Sequence, residues 1–104
     1  MAGQGNALSP AIRQALMQIR ARIEAANEKI EHHDAELTKA RNAMAQIPHE
    51  MDVAIKSGDS KQVALVATKM NGLEKQIATQ LAALTAANTE LAKEQANFAH
   101  FAGH

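Results

Sequence analysis

Residues 12–47 read IRQALMQIRARIEAANEKIEHHDAELTKARNAMAQI, and this stretch decides the fold. Mostly apolar residues recur in it at alternating steps of four and three, which is the heptad pattern of a helix that packs along one stripe. The residues of this stripe, called the first seam, are Ile12, Leu16, Ile19, Ile23, Ala26, Ile30, His33, Leu37, Ala40, Met44 and Ile47. A stripe of this length predicts a second helix that covers it.

A second seam of the same kind follows later in the chain. Its residues are Val63, Val66, Met70, Leu73, Ile77, Gln80, Leu84, Ala87, Leu91, Glu94, Phe98 and Phe101. Gln80 and Glu94 are polar residues at seam positions, where they either set the register of the pairing or mark a fraying end. Two seams of similar length predict two long helices that face each other.

The first helix has a clear start and an ambiguous end. Ser9 can cap it by accepting a hydrogen bond from a first-turn amide, and Pro10 suits the first helical position because it has no amide proton to donate. Pro48 either kinks this helix or begins a new one, since its ring disfavours the preceding helical turn. The seam spacing continues past Pro48, so we expect one kinked helix over about 9–56, after a flexible tail at 1–8.

The second helix begins after a short turn. Gly58 can take the left-handed conformation that ends a helix, and Asp59 can cap the next one, with Gln62 completing a capping box. Gly72 lies inside the second helix and weakens it without disturbing the seam. The signals predict a helix over about 60–101.

These elements predict an all-α fold, a long antiparallel coiled-coil helical hairpin that forms a single domain over 9–102. Folding about the turn pairs residues whose numbers sum to about 117. The predicted seam layers are Ala26 with Leu91, Ile30 with Ala87, Ala40 with Ile77, and Ile19 with Phe98. The predicted charged pairs beside the seam are Lys29 with Glu90, Glu50 with Lys69, and Arg41 with Glu74.

Composition excludes several classes of function. The 104 residues carry 11 Lys and Arg against 11 Asp and Glu, so nothing attracts the chain generally to nucleic acid or to a membrane surface. Without cysteine there is no thiolate for catalysis or zinc binding. Neither a signal peptide nor an apolar stretch of ~20 residues is visible, so we expect a cytoplasmic or particle-associated protein that needs no cofactor.

Histidines supply the only candidates for a metal site, and a structural interpretation is preferred for each. His100 and His104 are four residues apart, as in helical chelating pairs, although Gly103 interrupts the helix between them. Glu28, His32 and Glu36 form a ladder on the outward face of the first helix, where a solvated row of charges is the simpler interpretation.

His33 differs from the other histidines because it belongs to the first seam. It is expected opposite Leu84, as an ordinary core residue. The alternative is a pH switch, since protonation near neutral pH would put a charge into the seam.

No arrangement of residues predicts an enzyme. Ser57 and Ser60 lie in the turn, and the sequence has neither a nucleophile elbow nor a glycine-rich phosphate loop. A two-helix hairpin also has little interior for a substrate. We therefore expect a non-enzymatic assembly or interaction module, most simply a homodimer that forms a four-helix bundle. The alternatives are an inhibitor or adaptor that presents one helix face to a partner protein, and a metal-binding bundle.

In size and plan the chain resembles the small helical-hairpin proteins of secretion systems and virus particles. The secreted hairpin family with Trp-x-Gly between its helices is similar in length, but this chain has no Trp, and its turn is Lys56-Ser57-Gly58-Asp59-Ser60. Type III needle subunits resemble it in plan but usually have a proline-bounded turn, which is missing here. This resemblance implies a hairpin architecture and carries no functional residue across.

Overall fold

A computed structural model describes residues 8–103 of the chain. It contains helix α1 at Pro10–Ser57 and helix α2 at Ser60–Ala102, and no strand among those residues. The protein is therefore an all-α helical hairpin, as the two seams predict. The predicted tail falls outside the described residues except for Leu8, and coiled-coil packing in the strict sense stays a prediction.

The start of α1 confirms the predicted cap. The Ile12 amide donates a hydrogen bond to Ser9 Oγ at 3.1 Å, and the Arg13 amide donates to the Ser9 carbonyl at 2.9 Å. The hydroxyl thus satisfies one of the amides that a helix leaves without a partner in its first turn.

Helix α1 continues through Pro48 and ends at Ser57. A new helix starting at Pro48, the alternative left open by the sequence, is therefore wrong. A proline inside a helix removes one backbone hydrogen bond, and the packed seam residues on both sides of it offset that loss. The kink itself stays a prediction.

Gly58 ends α1 in the predicted left-handed conformation, with φ of 71°. Its amide donates to the Ile55 carbonyl at 3.1 Å, which closes the last turn. Glycine suits this position because a side chain rarely adopts a positive φ.

Asp59 caps α2, but not through the predicted capping box. Its carboxylate Oδ1 accepts a hydrogen bond from the Lys61 amide at 2.9 Å. The Asp59 amide, which the side chain of Gln62 was expected to satisfy, donates instead to Ser57 Oγ at 3.2 Å. The serine is closer in sequence and already ordered, because its hydroxyl donates to the Ala54 carbonyl at 2.6 Å.

The chain forms two compact units, and each has its own small core. The terminal unit comprises the described residues of Met1–Ile30 and Ala86–His104, and the turn unit is Glu31–Thr85. Buried apolar residues of the terminal unit are Ile19, Ala26 and Ala87, and those of the turn unit are Leu37, Ala40, Ile47 and Ala54. The single domain predicted over 9–102 stays a prediction.

Small seam residues are covered more completely than large ones. The seam alanines Ala26, Ala40 and Ala87 are all buried, whereas most of the larger aliphatic residues, such as Ile30 and Ile77, are half-buried. The large seam residues that are buried are Ile19, Leu37 and Ile47. One partner helix covers a methyl group more easily than a branched chain. All predicted seam residues except Phe98 are buried or half-buried.

Phe98 was predicted to lie in the seam against Ile19, but 37% of it is exposed. Ile19 is the largest fully buried side chain among the described residues. The ring of Phe98 is less covered than that of Phe101, which is half-buried in the same seam.

Two glycines allow a matched test of backbone conformation. An added Cβ meets no atom within 4 Å at either Gly58 or Gly72, so only the backbone distinguishes them. We predict that Gly72→Ala raises the free energy of unfolding by about 0.5–1 kcal/mol, because alanine favours the helix. Gly58→Ala should lower it by about 1 kcal/mol, because φ is positive there. Urea unfolding measures both, and equal effects of the same sign would contradict the assignment.

Candidate functional site

The polar seam residues of the turn unit bind each other. His33 Nδ1 and Gln80 Oε1 are 2.7 Å apart, and both side chains are half-buried. The partner of His33 is therefore Gln80 and not Leu84 as predicted, because two polar groups in an apolar seam satisfy each other's hydrogen bonds. With the amide oxygen as acceptor, Nδ1 carries the proton and donates. The pH switch at His33 stays a prediction.

The terminal unit contains a second polar contact, between Glu94 and Arg22. Glu94 is only 6% exposed, and its Oε2 accepts a hydrogen bond from Arg22 Nε at 2.7 Å. The end-fraying interpretation of Glu94 is thus wrong. Sequence reasoning missed Arg22 as its partner, although Arg22 directly precedes the seam residue Ile23 and so lies beside the seam.

Each seam has two flanks, and charged residues bridge one of them. This charged flank consists of the residues that directly precede every second seam position, with the spacing of the first seam continued to Met51. In the terminal unit Lys29 Nζ lies 3.4 Å from Glu90 Oε2, and in the turn unit Lys69 Nζ lies 2.7 Å from Glu50 Oε1. Both pairs confirm the prediction. Such partly exposed pairs contribute little stability but specify which residues lie opposite each other.

Residues on the other side of the turn unit form a flank without such bridges. This open flank consists of the residues that directly follow every second seam position, at seven-residue spacing. They are Asp34, Arg41, Pro48 and Ile55 on α1, and Ala67, Glu74 and Leu81 on α2. The predicted pair of Arg41 with Glu74 is wrong, since no salt bridge joins them and neither has another ionic partner among the described residues. Both side chains are exposed, where water competes with a weak pair.

Apolar groups are also exposed on the open flank. Ile55 is 62% exposed and Leu81 is 42% exposed, while Ala67 is half-buried. The open flank therefore carries both exposed apolar side chains and charges without a partner, in one row along each helix.

The metal-site candidates do not come together. Within residues 8–103 no three His, Asp or Glu side chains are placed to hold a metal ion. Glu36, one of the ladder residues with Glu28 and His32, accepts a hydrogen bond from Lys39 Nζ at 3.3 Å. His100 packs edge-on against Phe101, and its predicted partner His104 lies outside the described residues.

A shallow groove near the turn brings Ser57 and His49 to one surface, together with Glu50. The Ser57 hydroxyl donates to the Ala54 carbonyl, so its proton closes the helix end and is not directed to a base. Glu50 Oε2 is buried and has no hydrogen-bond partner among the described residues. These contacts account for Ser57 as part of the turn and give no nucleophile and base in contact.

Comparisons with protein-family models, with curated proteins and with solved structures gave no match for this chain. Inferences about function therefore depend on the chain's own residues. Neither helix, within the described residues, has an apolar stretch long enough to cross a membrane.

Because Arg22 pairs with the buried carboxylate of Glu94, we expect it to contribute more to the stability of the fold than the other arginines of α1. We predict that Arg22→Ala lowers the free energy of unfolding by about 2 kcal/mol, because the buried charge loses its donor. Arg20→Ala is the matched control, since Arg20 pairs with Glu24 at a well-exposed position and its loss should cost less than about 0.5 kcal/mol.

The same substitution in a Glu94→Leu variant tests whether the effect of Arg22→Ala arises from the buried charge of Glu94. With Glu94→Leu already present there is no buried charge, so adding Arg22→Ala should change the free energy of unfolding by less than about 0.5 kcal/mol. Chemical unfolding of the four variants measures these differences. A full effect of Arg22→Ala in the Glu94→Leu background would contradict the assigned contact.

Proposed function

We propose that this protein is a non-enzymatic assembly module that associates with further copies of itself through its helix surfaces. The simplest form is a homodimer in which two coiled-coil hairpins make a four-helix bundle. The observations that carry this proposal are the large accessible surface of the whole chain and the large apolar side chains that the described residues leave exposed.

The exposed surface can be compared with that of a compact protein of equal mass. The chain has an accessible surface of 7408 Å² and a mass of 11.1 kDa. A compact monomer of this mass exposes about 5,700 Å². The difference of about 1,700 Å² exceeds the ~800 Å² that each partner contributes to a protein interface of standard size.

Large apolar side chains make up part of this surface. Those among the described residues are Leu8, Met17, Val53, Ile55, Leu65, Leu81 and Phe98. Single exposed apolar residues are ordinary, but few large residues are buried here to compensate for them. Association would cover the half-buried seams as well as these side chains, which favours an oligomer over an isolated hairpin.

Other features support an assembly role over catalysis. The described residues hold no group of metal ligands, and the Ser57 hydroxyl is engaged in the turn. The balanced charge gives no reason to expect a nucleic-acid partner. We propose a cytoplasmic or particle-associated location, as expected from the sequence.

Sedimentation equilibrium tests the proposal directly. We expect a mass above 11.1 kDa that rises with protein concentration toward a discrete dimer. The thermal unfolding midpoint should rise with concentration as well, because folding and association are linked.

Each outcome distinguishes one class of function. A discrete dimer supports the four-helix bundle, and an open-ended series of masses supports a subunit of a larger assembly. A monomer at all concentrations would contradict self-association and favour the adaptor that presents one helix face to a different protein.

A further inference from the structure

We infer that the open flank of the turn unit is the surface on which a second copy of the chain docks, with α1 of one copy over α2 of the other. This inference rests on the proposed self-association and specifies its surface. Three observations support it: the difference between the two flanks, the positions of the unpaired charges, and the exposed apolar residues.

The two flanks of the turn unit differ in what covers them. On the charged flank, Glu50 and Lys69 connect the helices at 2.7 Å and lie over the edge of the seam. On the open flank no ion pair joins the helices within the described residues. A second helix pair can approach the open flank without breaking an existing contact.

Arg41 and Glu74 lie at about the same level of the hairpin. Two contacts between the helices show that they are level. The Glu50–Lys69 contact lies between Arg41 and the turn, and the His33–Gln80 contact lies on the side of Arg41 away from the turn. Each copy therefore presents the unpaired cation Arg41 on α1 beside the unpaired anion Glu74 on α2, and the carboxylate of Asp34 lies one heptad farther from the turn on α1.

This arrangement of charges is complementary to itself. A two-fold axis along the hairpin places Arg41 over Glu74 of the partner subunit, and the same operation places Glu74 under the partner subunit's Arg41. Both pairs form together in one symmetric dimer. Packing α1 on α1 would instead bring the two arginines toward each other, which like charges disfavour.

Apolar residues of the open flank suit the same arrangement. Ile55 of the open flank is well exposed on α1 near the turn. On α2 the small residue Ala67 of the open flank, with Ala64 one turn before it, leaves space at the same end. In the proposed dimer the Ile55 side chain fills the space above the partner's Ala64 and the partner's Ala67. A large residue over small ones lets two helices approach closely.

The accessible surface of the whole chain, of which the open flank is one part, exceeds what a dimer interface takes. An interface of standard size takes about 800 Å² from each partner. The chain exposes about 1,700 Å² more than a compact monomer of its mass, so such an interface leaves a surface ordinary for a folded protein.

Two substitutions at equally exposed residues test which flank is used. Ile55 is 62% exposed on the open flank, and Leu65 is 63% exposed but lies outside that flank. We expect Ile55→Asp to raise the dissociation constant of the dimer about tenfold or more, since it buries a charge in the interface. Leu65→Asp should change it less than about threefold. Circular dichroism checks that both variants remain helical.

Charge exchange tests the assigned pair. Arg41→Glu and Glu74→Arg should each raise the dissociation constant about tenfold, because each affects two contacts in the dimer. The double variant Arg41→Glu/Glu74→Arg should recover a value within about threefold of the original, because the opposite charges are restored.

The outcomes separate this inference from the proposed function. If Leu65→Asp dissociates the dimer and Ile55→Asp does not, the interface does not lie on the open flank. The proposed self-association would still stand in that case. Failure of the double variant to recover would reject the contact between Arg41 and Glu74 of the partner subunit. A native chain that stays monomeric in sedimentation equilibrium would overturn both the inference and the proposed self-association.

Discussion

A helix with an apolar stripe must cover that stripe, and one neighbouring helix can cover it only in part. The structure of this hairpin depends on that constraint. The alanines in the seams are all buried, while most of the isoleucines, leucines and methionines, apart from Ile19, Leu37 and Ile47, keep one side exposed. The hairpin therefore covers its small seam residues and leaves most of its large ones partly uncovered, which links the heptad pattern to the proposed association.

Polar residues within the seams specify how the helices align. The bond between His33 and Gln80 and the bond between Arg22 and Glu94 would both be lost if α2 shifted by one turn. A buried carboxylate without its arginine is costly, so the pair penalises other alignments more than it stabilises this one. The ion pairs of the charged flank also favour this alignment of the helices. Their contribution to stability is smaller, because they are exposed to water.

Much of the fold could be predicted from the sequence because its signals are local. The Ser9 cap, the left-handed Gly58 and the Asp59 cap each depend on residues within four positions of one another. The pairs Lys29–Glu90 and Glu50–Lys69 followed from the turn position and the helical repeat alone. Prediction failed for His33 because Gln80 and Leu84, one turn apart, both lay within reach. It failed for Arg41 because an exposed pair competes with water, and for the Asp59 amide because Ser57 is a nearer acceptor than Gln62.

The sequence by itself determined two helices, their ends, the turn between them and the stripe that each buries, since helix periodicity and capping act over short distances. Only the tertiary structure decided which polar side chains meet in the seams, that Phe98 stays exposed, and that Arg41 and Glu74 remain unpaired. Those features depend on side-chain distances across the hairpin, and a one-dimensional pattern contains no such distances. The difference between the charged flank and the open flank is therefore visible only in the tertiary structure, and the proposed dimer interface is argued from it.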